Sequence, residues 1–112
     1  MPGTVLRLML GTGIGSALYI DGRLVPNTEL GHLQVAGREA ELRAAARIKT
    51  EQNLSWDAWT GELNLVLQEM HALLWPDLIV LCGGVTEEPE SFIRKLRSHA
   101  GIVGAAFATT LL

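Results

Sequence analysis

The chain has 112 residues, of which 48% are hydrophobic, and a formal net charge of −3. That length suits one small domain with a single core, and the composition is globular rather than disordered. No basic cluster concentrates on any stretch, so a nucleic-acid partner is not expected. No apolar run approaches the roughly 20 residues that cross a bilayer, and no charged-then-apolar leader opens the chain, so no membrane partner and a cytoplasmic location are expected.

In chain order, "TVLRLML" (4–10) reads as a mostly buried strand that ends at Gly11. "SALYIDG" (16–22) reads as a second strand and "RLV" (23–25) as a short third. Between these two strands, Asp21-Gly22 is the dipeptide that type I′ turns favour, because both turn positions take positive φ. The opening is therefore a β-meander. From Arg38 to Gln52 the run of Glu, Ala, Arg and Leu predicts a surface helix. Its Arg38, Arg43, Arg47 and Lys49 alternate with Glu39, Glu41 and Glu51, which reads as a mixed, solvated face rather than a polyanion track. Ser55 is placed to cap a longer helix with Asp57 in its first turn, and Pro76 closes it. Trp59, Leu63, Val66, Met70 and Leu73 recur at three- and four-residue spacing as a core-facing stripe.

"DLIVLCGG" (77–84) has the continuous apolar pattern of a central strand covered on both faces. It carries the single cysteine, Cys82, expected to be buried and inert. One cysteine excludes a disulfide framework and a multi-cysteine zinc site. Pro89 suits the start of a helix to about Arg97, and "AGIVGAAFATTLL" (100–112) reads as a last helix packed against the sheet. Strands followed by helices, a strand and further helices make a mixed α/β fold.

Chemistry concentrates between residues 11 and 32. Gly11, Gly13 and Gly15 give G-x-G-x-G, but a strand follows where a dinucleotide fingerprint opens a helix, and no G-K-[ST] is present. What remains is a hairpin whose bare N–H groups, with the Thr12 hydroxyl, can face phosphate oxygens. A purely structural glycine hairpin, built for positive φ, stays open beside it. Glu29 and His32 supply a carboxylate able to accept two hydroxyl hydrogen bonds and an imidazole that donates or accepts another. Taken singly, each is an ordinary polar loop residue.

Together "LGTGIGSALYIDGRLVPNTELGHLQV", "LSWDAWTGELNLVLQEMHALLWPDLIVLCGGV" and "AGIVGAA" resemble, from about Val5 to Ala108, the C-terminal half of a sugar kinase. The likeness is to the polyphosphate-glucokinase branch of the ROK (repressor, open reading frame, kinase) family, within the actin-like, ribonuclease H-like ATPase fold. The resemblance implies that "GTGIG" is the second phosphate loop, so that Gly11, Thr12 and Gly13 face the transferring phosphoryl group. "ELGH" matches the family's E-x-G-H, which makes Glu29 and His32 sugar-binding residues. Gly83, Gly84 and Val85 match the glycine pair at the donor's nucleoside end, and "AGIVGAA" the helix that starts near that pocket. Most ROK kinases carry a C-x-C-G-x-x-G-C zinc segment after the histidine; this chain does not, like the polyphosphate-using branch, and no zinc is expected.

The implied activity is transfer of a phosphoryl group from polyphosphate or ATP, with Mg2+, to the 6-hydroxyl of glucose. Whether this chain is itself an enzyme stays open. The base that takes the hydroxyl proton is a positioned Asp, which the family places with D-x-G-G-T in an N-terminal lobe. The 112 residues contain no such motif. They read as one C-terminal lobe, half of a two-lobed site, inactive alone, and consistent with a shortened gene product. A homo-oligomer or a complementing N-terminal lobe is the expected partner. "TEEPESFIRKLRSH" (86–99) leaves room for a helix but hardly for the family's further strand, so the sheet is expected to end on an unpaired edge. The alternative is a non-catalytic sugar- or phosphate-binding or oligomerisation module; no added helix-turn-helix marks a ROK repressor.

Overall fold

The computed structural model describes residues 2–87, 91–98 and 100–104. Strands β1 (Thr4–Leu10), β2 (Ile14–Ile20) and β3 (Arg23–Val25) form the expected antiparallel meander. Asp21 and Gly22 join the last two with φ of 49° and 81°, the left-handed pair that a tight hairpin needs. β6 (Leu78–Cys82) lies parallel to β1, and β7 (Gly101–Gly104) parallel to β6, giving the mixed order β3-β2-β1-β6-β7. A separate two-residue hairpin, β4 (Gln34–Val35) with β5 (Arg38–Glu39), follows the meander. Thr4 and Asp77 clamp the starts of β1 and β6, each backbone N–H donating 2.8 Å to the other residue.

All five residues of β6 are buried, as its unbroken apolar run predicts. One face of the sheet carries the main core: Leu6, Leu8, Leu10, Ile79 and Leu81 meet Trp59, Leu63, Val66, Leu67 and Met70 of α3 (Trp56–Leu74). Each such side chain stabilises by about 1.5–3 kcal/mol relative to exposure. A smaller cluster of Val5, Leu78, Val80 and Cys82, with Tyr19 and Val103, covers the other face. Arg7 donates from Nε to the Cys82 Sγ at 3.0 Å, which together with charge attraction raises its pKa and keeps it charged. Ser55 caps α3 by accepting from the Ala58 N–H at 3.1 Å, and Trp75, left-handed at φ 46°, ends it before Pro76. Among the described residues no helix is long and apolar enough to cross a membrane.

Four elements differ from the sequence expectation. The helix over 38–52 is β5, then α1 (Ala40–Ala44) and α2 (Ala46–Glu51), broken at buried, extended Ala45. The break turns the first N–H groups of α2 outward, and Arg47 N–H donates to the Gly11 carbonyl at 3.0 Å. Leu73 leaves the α3 stripe for solvent, while Leu67 takes a core position. The helix expected from Pro89 begins outside the described residues, and its described later part is not α-helical but includes a 3-10 turn at Ile93–Lys95. There Phe92 is locked among Trp56 and Trp59, and Asn64 takes the Lys95 carbonyl (3.1 Å) and the Arg97 N–H (2.8 Å), groups an α-helix would bond internally. Finally, the start of the expected last helix is β7: Ile102 and Val103 are β-branched, and the open parallel edge of β6 offers their backbone a partner. The edge expected to be bare is thus filled; residues 105–112 of that segment lie outside the described residues.

Candidate functional site

The loop Gly11-Thr12-Gly13 links β1 to β2, closed by the register pair Leu10 and Ile14 and by Gly11 N–H donating to the Gly13 carbonyl at 3.0 Å. None of these glycines has positive φ, so conformational permissiveness is not their reason. Space is the reason at Gly13, where a Cβ would lie 2.6 Å from the Glu41 Oε2. Arg47 fixes the loop from α2: its Nε donates to the Thr12 carbonyl at 2.8 Å and its other arm pairs with Glu51 at 2.9 Å.

Glu29 and His32 approach the same loop from the segment after β3. Gly31 N–H donates to Glu29 Oε1 at 3.1 Å and Leu30 N–H to the Ser16 hydroxyl at 3.1 Å, which fixes the segment against β2. Gly31 itself is pressed onto the strand; a Cβ there would meet the Ile14 carbonyl oxygen at 2.3 Å. From the first turn of α1, Glu41 enters between them. Its N–H donates to the Gly31 carbonyl at 3.0 Å, and its Oε2 accepts the Ile14 N–H at 3.2 Å. His32 Nδ1 lies 3.1 Å from Glu39 Oε1 and 3.6 Å from Glu41 Oε1. The result is one open cleft of about 240 Å³ lined by Gly11, Thr12, Gly13, Glu29, His32 and Glu41. Backbone donors and a hydroxyl form one side; carboxylates and an imidazole form the other.

Gly83, Gly84 and Val85 stand next to this cleft, not in it. Gly83 has φ 112°, and a Cβ on it would strike the Leu10 carbonyl at 2.3 Å, so the glycine that follows β6 lies directly against the last residue of β1. Gly84 and Val85 line a second cavity of about 240 Å³ with Ala46, Lys49, Thr50 and Trp56. α2 is shared, with Arg47 on the loop and Lys49 on the second cavity.

No family model matches the chain. A polyphosphate glucokinase of Mycobacterium tuberculosis is 40% identical to it over 119 residues, which cover 96% of this chain and 45% of that protein. The chain resembles part of a polyphosphate glucokinase. The inorganic polyphosphate/ATP-glucomannokinase of Arthrobacter sp. strain KM superposes with a TM-score of 0.89 at 40% identity, over 93% of this chain and 41% of that one. A ROK family protein from Streptococcus pneumoniae, solved in complex with sucrose, superposes with a TM-score of 0.70 at 18% identity, over 90% of this chain and 52% of that one. The fold is therefore that of part of a ROK, actin-like sugar kinase, and the chain spans less than half of the polyphosphate glucokinase it matches.

Within this polyphosphate-glucokinase-like lobe, Thr12 and the Glu29/His32 pair open onto the same side, and the glycine pair flanks it. Sequence reasoning passed over Glu41, taken as one charge on a solvated helix. Nothing in its neighbours' types sets it apart from Glu39 or Glu51. Its hydrogen bonds to the Gly31 carbonyl and from the Ile14 N–H, with the clearance left by Gly13 and Gly31, put its carboxylate in the cleft.

Proposed function

We propose that this chain is the sugar- and phosphate-binding half of a glucokinase that transfers a phosphoryl group from polyphosphate or ATP to the 6-hydroxyl of glucose. The observation that carries this reading is the single cleft in which Thr12 and its glycines face Glu29, His32 and Glu41. Gly11 N–H is spent on the Gly13 carbonyl, so the Thr12 hydroxyl and the other loop N–H groups are the donors for phosphoryl oxygens. Glu29 and Glu41, each already oriented by one backbone N–H, accept hydrogen bonds from sugar hydroxyls through their remaining lone pairs. His32 adds a further contact at the rim. Holding both reactants in one orientation is what such a site contributes to transfer.

In the step itself the sugar oxygen bonds to phosphorus while the bond from phosphorus to the rest of the donor breaks, and the shortened donor leaves with that electron pair. The hydroxyl proton goes to a carboxylate of the D-x-G-G-T lobe, which the 112 residues do not contain. A complementing lobe, or a homo-oligomer, is the partner this requires. Magnesium is held through one or two carboxylates together with substrate phosphates and water. Here Glu29 and Glu41 each already accept one backbone N–H, so a magnesium ion would be held chiefly by the donor's phosphates and water. The ion belongs with the donor's phosphates, and no step runs through it.

Calorimetric titration with glucose tests the reading. The chain should bind glucose, and Glu41→Gln should weaken binding about tenfold, the scale of one lost hydrogen bond to a charged group. A coupled assay with glucose and polyphosphate or ATP should give no turnover from the 112 residues alone. Adding the D-x-G-G-T lobe of a polyphosphate glucokinase should produce it. Turnover from the chain alone, or glucose binding indifferent to both Glu29→Gln and Glu41→Gln, refutes the proposal. Binding without complementation favours a non-catalytic sugar-binding module.

A further inference from the structure

The hairpin that follows His32 carries a strained turn. β4 and β5 pair Gln34 with Glu39 and Val35 with Arg38. Ala36 and Gly37 join them with φ of 49° and 85°, the double left-handed pair that tight hairpins use. Gly37 takes that conformation freely, whereas Ala36 does so at a steric cost. The turn is held from outside. Arg43 of α1 donates from Nε to the Val35 carbonyl at 2.7 Å and from Nη2 to the Ala36 carbonyl at 3.0 Å, and its Nη1 pairs with Glu62 of α3 at 2.9 Å. At the open end, Ala40 N–H donates to the Leu33 carbonyl at 2.8 Å.

This return brings Glu39 back beside His32. The His32 Nδ1 lies 3.1 Å from Glu39 Oε1, while Glu41 Oε1 stands off the same nitrogen at 3.6 Å. Ionised carboxylate oxygens only accept, so the hydrogen on that contact belongs to Nδ1. The hydrogen bond made by one ring nitrogen decides the state of the other. In the neutral ring Nε2 is then bare and can only accept. The His32 side chain is 61% exposed and lines the cleft with Glu29 and Glu41. That bare nitrogen is what the imidazole has left to offer a ligand. Glu39 is not among the described residues that line the cleft, so any effect it has on a ligand passes through His32.

We infer that Glu39 is a positioning residue: by accepting the Nδ1–H it holds His32 as the tautomer whose Nε2 accepts a hydrogen bond from a sugar hydroxyl. This rests on the sugar-binding reading of the cleft and deepens it. Glu29 and Glu41 are acceptors as well, so every polar side chain on that side of the cleft asks the ligand for a hydroxyl hydrogen. A site built that way rejects an analogue in which the hydroxyl is replaced by fluorine, which has no hydrogen to give.

Proton–nitrogen correlation spectra of the imidazoles, recorded well above the ordinary histidine pKa, read the tautomer directly. The chain has 3 histidines, and the His32 signals are those lost in His32→Gln. Wild type should show the Nδ1–H form before any sugar is added. Glu39→Ala should lose that preference and weaken glucose binding about fivefold by calorimetry. Glu39→Gln, whose amide oxygen still accepts the Nδ1–H, should keep the tautomer and bind glucose within about twofold of wild type. Across singly fluorinated glucoses, one position should weaken binding to wild type and to Glu39→Gln far more than binding to Glu39→Ala. The inference is overturned if wild-type His32 carries its proton on Nε2, if Glu39→Ala binds glucose as wild type does, or if Glu39→Gln loses as much as Glu39→Ala. Failure of wild type to bind glucose refutes the sugar-site reading and this inference together. Glucose binding that depends on Glu29 and Glu41 but not on Glu39 sinks this inference alone.

Discussion

A methyl group on Gly31 would sit 2.3 Å from the Ile14 carbonyl oxygen, whereas one on Gly13 would sit 2.6 Å from the end of the Glu41 side chain. The first obstacle is backbone and cannot rotate away; the second is a carboxylate that can. Gly31→Ala should therefore cost about 1–3 kcal/mol of stability, seen as a lower Tm in thermal unfolding. Gly13→Ala should unfold within about 0.5 kcal/mol of wild type and yet lose roughly tenfold in glucose affinity as Glu41 is displaced from the cleft. Equal losses of stability in both variants would contradict this assignment of roles. The residue types of Thr12, Glu29 and His32 were readable, because their chemistry is carried by the letters themselves. The role of Gly13 was not, since a small residue needed for space looks the same in sequence as one needed for positive φ.

At the level of elements, α3 shows where local pattern suffices. Its cap, its ends and most of its buried stripe follow from Ser55, Pro76 and helical spacing. Pattern does not reveal Thr60, whose buried hydroxyl has no hydrogen-bond partner among the described residues. Thr60→Val keeps the shape and removes that orphaned group, so it should stabilise by about 1 kcal/mol and raise Tm; a fall in Tm would show that the hydroxyl is satisfied. Segments 38–52 and 91–97 behave otherwise. Helix propensity is high in the first, but the Gly11 and Thr12 carbonyls attract Arg47 and the helix breaks at Ala45. In the second, Asn64 and the aromatic cluster outbid a helix that has little length to recover its nucleation cost.

Over the whole molecule, the five-stranded sheet places the loop at the ends of β1 and β2 and the glycine pair at the end of β6, so one rim of the sheet carries both cavities. The relatives are more than twice as long as the matched segment. Leu42, Leu65, Leu73 and Trp75 are exposed on or beside the helices, and Met9, Ile20 and Leu24 on the meander. Such surface favours association. Sedimentation velocity of the 112-residue chain should show a weight-average mass that rises with concentration, and a monomer unchanged from low to high micromolar concentration would contradict that. The mixed α/β class and the meander were evident before any coordinates. β7 was not, because "GIVG" has too few residues to declare a strand until the edge of β6 is there to pair with it.

By itself the sequence determined what short-range rules govern: the Asp21-Gly22 turn, the caps and stripe of α3, the all-buried β6, and the residue types able to hold a phosphate and a sugar. Each depends on neighbours within about one helical turn or one strand repeat. The tertiary structure alone decided that Glu41 and His32 share a cleft with Thr12, that Lys49 faces Gly84, and that residues 101–104 extend the sheet. Those outcomes depend on hydrogen-bond partners and clearances supplied by distant parts of the chain, such as the Ile14 N–H for Glu41 and the backbone of β6 for β7. No local spacing encodes a distance that only chain closure fixes.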